Sequence, residues 1–531
     1  MTIVWNAQRV SEGLAEIQSA RLEVLTNIKT MLDRYHAVDR SLRFYDLILG
    51  DWVERYLHLV YVVRQDYSLT LCRVQKAENL TDAMTICPSG DTAEFFAAYR
   101  TLPALMLSVL QSLSSRDSID VADYEVSIHN SVKARSRERF NSLFFKLVSN
   151  SSNSRVLFVK PFSGRTPKTW LSAMFKWRKW ATHDDLDFKF SVRVKVDSTW
   201  RRQNVGELPV GASLSATANA ILSLFLPVCA VEGLAKMTSL VNRAKPRRFD
   251  VVYSAQALWT HFAFKLLIAN WCEQGTKLHY HQHGGWYGLD EIHVGEQYES
   301  RVADVYYTWG WNRGQDNLRL LPPATPKLRE RDKFFDSMIC FDQPQQVYRL
   351  QYFPLPGTLQ NMYDQTADFV RTRVSDKELR IRLFPGDYGS KQKEAILRVD
   401  SNAMFDNSQE IFSQYSQSRI VFHNYLGTSW LETLGNNIPT ICFFDKDAYR
   451  FRSDAKNLLD DLIKVGILHL SGSSAAAKAN AVEGDIDSWW RSQPVQIARR
   501  NFVSKFANFS SDWQEIWRQT FEQSLKSIHG S

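Results

Sequence analysis

The sequence lacks the signature motifs of three large enzyme classes. It contains no GxxxxGK(S/T) phosphate loop, no GxGxxG segment after an early strand and no GxSxG elbow. The first motif cradles phosphates in P-loop proteins, the second binds dinucleotides, and the third carries the nucleophile of α/β-hydrolases. The Pro-rich segment 321–326 also has no Asp-x-Asp pair, which disfavours magnesium-dependent sugar transferases built on a single sheet. Kinases, dehydrogenases and α/β-hydrolases are therefore disfavoured.

Cysteine is scarce, and long apolar runs are missing. The six cysteines are far apart and form no CxxC pair, which argues against a disulfide framework and a structural zinc site. The longest apolar run, 220–230, is broken by Pro227 and is shorter than the roughly 20 residues of a membrane-spanning helix. The first residues lack the charged and apolar regions of a signal peptide. We therefore expect a cytoplasmic protein without a bound metal, and peripheral contact with the inner membrane is left open.

The composition is that of a folded, basic protein. Of the 531 residues, 44% are hydrophobic and 23% are charged, and the formal net charge is +8. A chain of this length exceeds one hydrophobic core, so two domains are expected. The positive charge favours anionic partners such as sugar nucleotides, acidic glycans or an anionic membrane surface. Because the basic residues are spread along the chain, nucleic acid is not expected as a partner.

Hydrophobic patterns divide the chain into helical ends and two α/β regions. Residues 12–62, with a bend at Gly50, and the segment around Trp513–Leu525 have apolar side chains at helical spacing. Strand and helix patterns alternate from about residue 248, which predicts parallel sheets with helices on both faces. The Ser/Ala-rich segment 471–481 is expected to be a short loop. The predicted units are a first α/β domain with a helical N-terminal segment at 1–320, a second α/β domain at 330–484, and C-terminal helices at 485–531 that pack on the first domain.

The segment His281-Gln-His-Gly-Gly-Trp-Tyr-Gly288 follows a predicted strand, at the edge where ligands bind in parallel sheets. Its double glycine permits unusual backbone angles and a close approach to a ligand. His283 is placed to act as a general base, because the pKa of histidine lies near the working pH. The alternative is a histidine that only holds a loop. His279 and His281 on the strand favour either a metal site with His283 or simple packing.

A second strand-end segment is His423-Asn-Tyr-Leu-Gly-Thr-Ser-Trp-Leu-Glu432. Gly427, Thr428 and Ser429 are predicted to turn into a helix, whose N-terminal N–H groups attract phosphate. The two hydroxyls either bind phosphate or one of them caps the helix. Glu432 either binds ribose hydroxyls or closes a capping box with Ser429.

Two further groups of charged residues are candidates. Arg382 lies at the end of a predicted strand, where a guanidinium can hold a phosphate or carboxylate with two hydrogen bonds. Asp387 follows in a loop and either orients a histidine or an acceptor, or makes an Asx turn. Near the N-terminus, His36, Arg40, Ser41 and Arg43 are interpreted as exposed charges at helix ends.

Four segments together resemble bacterial transferases of surface-carbohydrate biosynthesis, for which the two-domain GT-B glycosyltransferase fold is expected. The first covers Leu32–Trp52, with His36, Ser41-Leu-Arg43 and Leu49-Gly-Asp-Trp52, although Asp51 replaces a usual proline and Phe44-Tyr45 stands in place of Tyr-Trp. The others are Gln282–Gly288 with Asp304 and Thr308–Trp311, Arg382 with Asp387–Gly389, and Gly427–Glu432 with Asn437–Thr440.

The resemblance implies a layout of the site. In more distantly similar capsule Kdo-type transferases and wall-polymer glycerophosphotransferases, the first domain serves the acceptor and the second holds the nucleotide. The implied fold is α/β and GT-B-like, with two doubly wound Rossmann-like domains facing a cleft. The catalytic residues implied are His283 and Asp387. Substrate binding is implied for His36, Gly284, Gly285, Tyr287, Arg382, Tyr388, His423, Gly427, Thr428, Ser429 and Glu432.

The expected activity is metal-independent transfer of a sugar, with an ulosonic acid among the candidates, from a nucleotide-activated donor to a cell-surface polysaccharide or glycolipid. No cofactor beyond the donor substrate is expected. Two alternatives stay open. One is a phosphotransferase that uses a CDP-polyol, and the other is a non-catalytic protein that binds polyanions.

Overall fold

The protein is built on two parallel β-sheets, each covered by helices on both faces. The structure is a computed structural model that describes residues 7–70, 84–97, 102–115, 119–130, 153–161, 167–186, 188, 190–245, 247–259, 262–325, 328, 332–342, 358–386, 388, 391–406 and 410–529. Each sheet has six strands, and helices stand at both ends of the chain. The predicted α/β class, with two doubly wound sheets and helical additions, is confirmed.

Two long helices open the chain: α1, Ala7–His36, and α2, Leu42–Thr70. Along α1, apolar side chains from Leu14 to Leu32 recur every three or four residues and are buried, because they lie on one face. The predicted helical segment is confirmed. The expected bend at Gly50 is wrong, because the chain instead breaks after α1 at Ala37, whose φ is 53°.

The remaining elements of the first half form and cover the first sheet. In chain order they are β1, Met84–Ile86; α3, Thr92–Ala97; α4, Leu102–Ser115; β2, Ile119–Val121; β3, Glu125–Asn130; β4, Val156–Val159; α5, Pro167–Trp177; β5, Ala181–His183; β6, Phe190–Lys195; α6, Ser198–Gln203; α7, Leu214–Phe225; α8, Leu234–Ala244; β7, Val251–Ser254; α9, Phe262–Glu273; β8, Lys277–His281; α10, Val294–Val302; β9, Val305–Thr308; and β10, Leu318–Leu320.

The first sheet has the strand order β10-β9-β8-β7-β4-β5, and all its pairs are parallel. In sequence order this is the flavodoxin-like arrangement, whose order reverses between β4 and β7. Two smaller pairs, β1 with β2 and β3 with β6, lie outside it. Strand β6 pairs antiparallel with β3.

The second half repeats the plan. Its elements are β11, Phe335–Ile339; α11, Leu359–Thr372; β12, Leu379–Arg382; α12, Gln392–Val399; β13, Met404–Phe405; α13, Ile411–Gln417; β14, Ser418–His423; α14, Thr428–Gly435; β15, Thr440–Phe443; α15, Ser453–Lys464; β16, Leu468–His469; α16, Gly472–Val482; α17, Ile486–Arg491; α18, Gln493–Phe506; and α19, Trp513–His529. The parallel order β13-β12-β11-β14-β15-β16 is that of a Rossmann fold, and it reverses between β11 and β14.

The C-terminal helix α19 packs on the first sheet. Its Trp517 and Phe521 share a buried cluster with Phe158 and Tyr253 of the sheet and with Trp170 of α5. The indole of Trp517 also donates to the carbonyl of Pro322 at 2.8 Å. The domain bounds at 320, 330 and 484 stay predictions, since a second buried cluster runs through both halves and includes Tyr280 and Trp430.

The loop expected at 471–481 is wrong, because these residues form α16. Ser471 caps the helix by accepting a hydrogen bond from the backbone N–H of Ser474, and Ala475, Ala476 and Ala479 are buried against the second sheet. Alanine favours helix, and serine at the first position favours a cap more than a loop. Within the described ranges, no helix combines the length and the apolar character needed to cross a membrane.

Candidate active site between the two sheets

The two glycine motifs, one from each half, are in direct contact. The backbone N–H of Gly285 donates to Thr428 Oγ1 at 2.8 Å. A Cβ atom at Gly285 would lie 2.4 Å from the carbonyl carbon of Gly427 and 2.7 Å from the N atom of Thr428. Glycine is therefore required at 285 for the two backbones to approach this closely. In this state the loop after β8 covers the N-terminus of α14.

His283 lies in that loop, at the carboxyl edge of the first sheet. Its Nδ1 is 3.3 Å from the hydroxyl of Tyr287 and 3.6 Å from Glu299 Oε1. The side chain is 26% exposed, so His283 is only partly buried. Burial of the rest lowers the pKa of His283 to about 4, because a charged imidazolium would lose its hydration. The ring is therefore neutral at pH 7 and able to accept a proton.

Glu299 of α10 lies next to His283, on the side away from the surface, and sequence analysis did not identify it. The side chain is fully buried, and Oε1 accepts hydrogen bonds from Trp259 at 2.5 Å and from Tyr287 at 3.0 Å, while Oε2 accepts one from Tyr306 at 2.9 Å. Burial raises the pKa of Glu299 to about 8, although these three donors favour the charged form. The Tyr287 hydroxyl therefore bridges His283 Nδ1 and Glu299 Oε1.

Gln282 and the segment after β9 hold the loop. The side-chain oxygen of Gln282 accepts from the backbone N–H of Trp309 at 3.0 Å and from the indole of Trp311 at 2.8 Å, and its amide donates to the carbonyl of Gly284 at 2.9 Å. Gly288 has a φ of 75° and touches the Trp311 ring. Gln282, Gly288, Trp309 and Trp311 therefore fix the backbone that carries His283.

The second motif contains a directional chain of hydrogen bonds. Thr433 donates to the carbonyl of Trp430 at 2.9 Å, so His423 Nε2, 3.1 Å from the Thr433 oxygen, must carry the proton. His423 Nδ1 is then the acceptor for Ser429 at 3.4 Å, and Tyr425 donates to Ser429 at 2.5 Å. Burial lowers the pKa of His423 to about 3, which keeps it neutral. His423 lies at the end of β14, beside the point where the strand order reverses.

The capping alternatives for the second motif are excluded. Gly427 is the N-cap of α14 and no side chain caps the helix, while Ser429 already lies in its first turn. Glu432 is buried and accepts a hydrogen bond from Tyr415 at 3.4 Å. A capping box between Ser429 and Glu432 is therefore absent, and binding of ribose by Glu432 stays a prediction.

The third group is only partly described. Arg382 ends β12, and its Nη1 is 3.5 Å from Gln414 Oε1. Tyr388 is 41% exposed, and its ring centre lies 5.9 Å from that of Phe384. Asp387 lies outside the described residues. The roles of Arg382, Tyr388 and Asp387 stay predictions.

The N-terminal residues do not join the two motifs. His36 ends α1, where burial lowers its pKa and the nearby backbone of Ala230 and Val231 opposes that shift. The interpretation of Arg43 as an exposed helix-end charge is wrong, because its guanidinium binds both carboxylate oxygens of Asp304, at 3.1 and 2.6 Å. These signature residues thus attach the first helices to the sheet.

The histidines on β8 pack between aromatic rings. His279 Nδ1 lies 2.9 Å from the Tyr307 hydroxyl. His281 lies between the Tyr253 hydroxyl, at 2.7 Å, and the carbonyl of Leu321, at 3.1 Å. Because that carbonyl can only accept, His281 Nε2 carries the proton and Nδ1 accepts from Tyr253. The packing alternative therefore applies to this pair.

A latch of residues 289–291 and 449–452 ties the halves together beside the motifs. Asp290 and Phe451 form an antiparallel bridge, Glu291 N donates to the Arg450 carbonyl at 2.9 Å, and Arg452 N donates to the Leu289 carbonyl at 3.1 Å. The buried carboxylate of Glu296 binds Arg313 of the first half and Arg452 of the second. These bonds hold the two carboxyl edges face to face.

Two doubly wound parallel sheets, joined at their carboxyl edges, define a GT-B-like α/β architecture, with a histidine and a helix N-terminus at the shared edge. The sequence model of the LIC12162 family of transferases matches residues 2–521, and the chain belongs to that family. The resemblance to a transferase family is thereby confirmed. No curated protein matches the chain.

Solved structures match the chain at low identity. A Thermobaculum terrenum O-GlcNAc transferase mutant is 12% identical over 99% of both chains, with a TM-score of 0.36. A UDP-GlcNAc 2-epimerase from Neisseria meningitidis, bound to UDP-GlcNAc, is 9% identical over 73% of this chain and 98% of that chain, with a TM-score of 0.37. The wall teichoic acid polymerase TagF is 8% identical over 81% and 98%, with a TM-score of 0.33. At these values the likeness carries no argument about activity.

Proposed function

We propose that the protein is a glycosyltransferase that moves a sugar from a nucleotide-activated donor to a cell-surface polysaccharide or glycolipid. One observation supports this most strongly. A neutral, partly exposed His283 is backed by Tyr287 and the buried Glu299, at the edge where both sheets meet. A neutral imidazole whose far nitrogen is held by a hydrogen-bond chain is the arrangement of a general base.

His283 would take the proton of the acceptor hydroxyl. As the new bond forms between the acceptor oxygen and the anomeric carbon, the bond from that carbon to the donor phosphate breaks, and the phosphate leaves with the electron pair. The hydroxyl proton moves to His283 Nε2, while Nδ1–H stays directed at Tyr287. With its pKa near 4, His283 is a weak base, so the proton moves only when the new carbon–oxygen bond is well advanced.

The second half would hold the donor. The Thr428 hydroxyl accepts from Gly285 and keeps its own proton for a phosphate oxygen. Arg382 and the N-terminus of α14 would stabilise the charge on the departing phosphate without a metal. Because Gly285 covers that N-terminus, the contact between Gly285 and Thr428 has to open before a phosphate can reach the N–H groups of α14.

Transfer and binding by a His283→Ala variant test this function. We expect transfer from labelled CMP-, CDP-, UDP- or GDP-activated donors to bacterial glycan extracts to fall by about 100-fold or more, because a general base contributes that much. Nucleotide binding, measured as a rise in melting temperature, should be retained. His469→Ala is the matched control, since His469 is half-buried in β16 with local hydrogen bonds only.

The products separate the remaining alternatives. Turnover of His283→Ala near the wild-type rate would exclude the histidine as the base. A phosphodiester product from a CDP-polyol would identify a phosphotransferase that uses the same histidine. Salt-sensitive binding of polyanions without any turnover would leave a binding protein. Activity that survives EDTA is expected, because none of the proposed steps uses a metal.

A further inference from the structure

A cavity opens at the carboxyl edge of the second sheet, beside the latch. Its volume is about 340 Å³, which is within the lower range of small-ligand sites. The strand ends after β15 and β16 supply Phe444 and Leu470, and the first half supplies Glu291. The backbone bonds of the latch fix its shape, because residues 449–452 are paired with 289–291.

One side of the cavity is apolar and aromatic. Tyr449 and Phe451 stack on one another, with ring centres 5.7 Å apart and planes at 14°, and both stand edge-on to Phe444. Stacked rings leave no slot between them for a planar base. Phe451 is partly exposed and Leu470 is 46% exposed, so they offer a one-sided apolar platform. Such a platform suits the C–H face of a sugar ring.

The other side is basic. Lys446 and Lys456 are exposed and line the cavity, and neither ammonium group makes an ion pair or a hydrogen bond with any described residue. Arg450 is held by Glu291 at 2.8 Å. Asp460 is the other acidic residue of the lining, and it lies one turn after Lys456 on α15. The first turn of α15, which carries Lys456, adds the positive end of a helix dipole.

We propose that this cavity binds an acidic sugar residue of the acceptor glycan, with the sugar ring on Phe451 and Leu470 and its carboxylate between Lys446 and Lys456. The proposal rests on the proposed glycosyltransferase function and adds the chemical class of the acceptor. The cavity is lined by Glu291 of the first half and by residues of the second half, so a glycan held between the halves can reach it. Carboxylate binding by two ammonium groups gives selectivity for charge, and the platform gives selectivity for a saccharide.

Binding of trigalacturonic acid, measured by titration calorimetry, tests the proposal. The wild-type protein should bind this probe, and a Lys446→Ala/Lys456→Ala variant should bind it at least tenfold more weakly. A Lys179→Ala/Lys333→Ala variant loses the same net charge at exposed positions that do not line the cavity, and should bind like the wild type. Maltotriose, which has no carboxylate, should bind to none of the three proteins.

Three results would overturn the proposal. In the first, the wild type does not bind trigalacturonic acid at millimolar concentration. In the second, the cavity variant binds it as tightly as the wild type does. In the third, the cavity variant loses binding of CDP or UDP but still binds trigalacturonic acid. His283→Ala should bind the probe normally. A failure of the proposed transfer reaction is therefore distinguishable from a failure of this site, because the titration requires no turnover.

Discussion

Replacement of Gly285 by alanine should force the two halves apart at the motif contact. The added Cβ would meet backbone atoms of Gly427 and Thr428 at 2.4 to 2.8 Å, and backbone in a helix N-terminus cannot move aside as a flexible side chain can. Gly284 is the matched control in the same loop. Its Cβ would meet only the hydroxyl of Thr428, at 3.1 Å, and neither glycine has a positive φ.

The magnitude follows from three contributions. Overpacking costs about 1–3 kcal/mol, and loss of the hydrogen bond from Gly285 to Thr428 costs about 1 kcal/mol. Alanine also restricts the unfolded chain, which stabilises both variants by about 0.5 kcal/mol. We therefore expect a loss of about 2–3 kcal/mol for Gly285→Ala and a change within about 1 kcal/mol for Gly284→Ala.

Urea unfolding and small-angle X-ray scattering together measure the effect. If the halves separate without unfolding, the loss of stability is limited to the contact energy, and the radius of gyration rises instead. Gly285→Ala should show one or both changes, and Gly284→Ala neither. Equal unfolding midpoints and equal radii for the two variants would refute the close approach of the backbones.

Three further predictions concern titration and ion pairing. Burial lowers the pKa of five histidines to about 3 or 4: His279, His281, His283, His293 and His423. Below pH 6.5 the unfolded chain binds protons on these residues and the native protein does not, so stability should fall from pH 6.5 towards pH 4 by roughly 1.4 kcal/mol per pH unit and histidine. An equal Tm at pH 7.5 and pH 5.0 would contradict this. Glu299 changes stability in the opposite direction, because its native pKa of about 8 exceeds the unfolded value of 4.5. Its contribution to stability is complete below pH 4.5 and is lost as the pH rises to 8. Glu299→Gln should therefore flatten the dependence of stability on pH between pH 6 and 8. Arg43→Ala should cost about 2 kcal/mol in urea unfolding, because it removes a bidentate, partly buried pair with Asp304, whereas the exposed Arg34→Ala should cost almost nothing.

The sequence was sufficient to predict the two sheets and the meeting of their edges. Apolar periodicity located the strands that end at His281 and His423, and parallel strands bring their carboxyl ends to one edge. The manner of contact was not predictable. That Gly285 donates to Thr428, and so closes the gap expected between the motifs, depends on the relative orientation of two separately patterned sheets.

Glu299 shows why part of the site was missed. In α10 it lies among Glu296 and Arg301, and three charges in a short helix are typical of a solvated face. The structure instead buries Glu299 against Trp259, Tyr287 and Tyr306, whereas Arg301 is exposed. Burial by residues from other elements leaves no trace in the local pattern. Tyr287, four residues after His283, is the residue in the motif that could have pointed to Glu299, because its hydroxyl is hydrogen-bonded to that carboxyl group.

The place of α19 has a consequence for synthesis on the ribosome. Residues 156–159 and 251–254 of the first sheet leave the exit tunnel early, but their aromatic face is covered by Trp513, Trp517 and Phe521. Until those residues emerge, Phe158 and Tyr253 lack their partners, and the nascent chain presents an apolar surface of the kind that chaperones bind. The first sheet therefore cannot bury this aromatic face until the second half has also been synthesised. This reverses the usual order, in which the N-terminal domain completes its folding first.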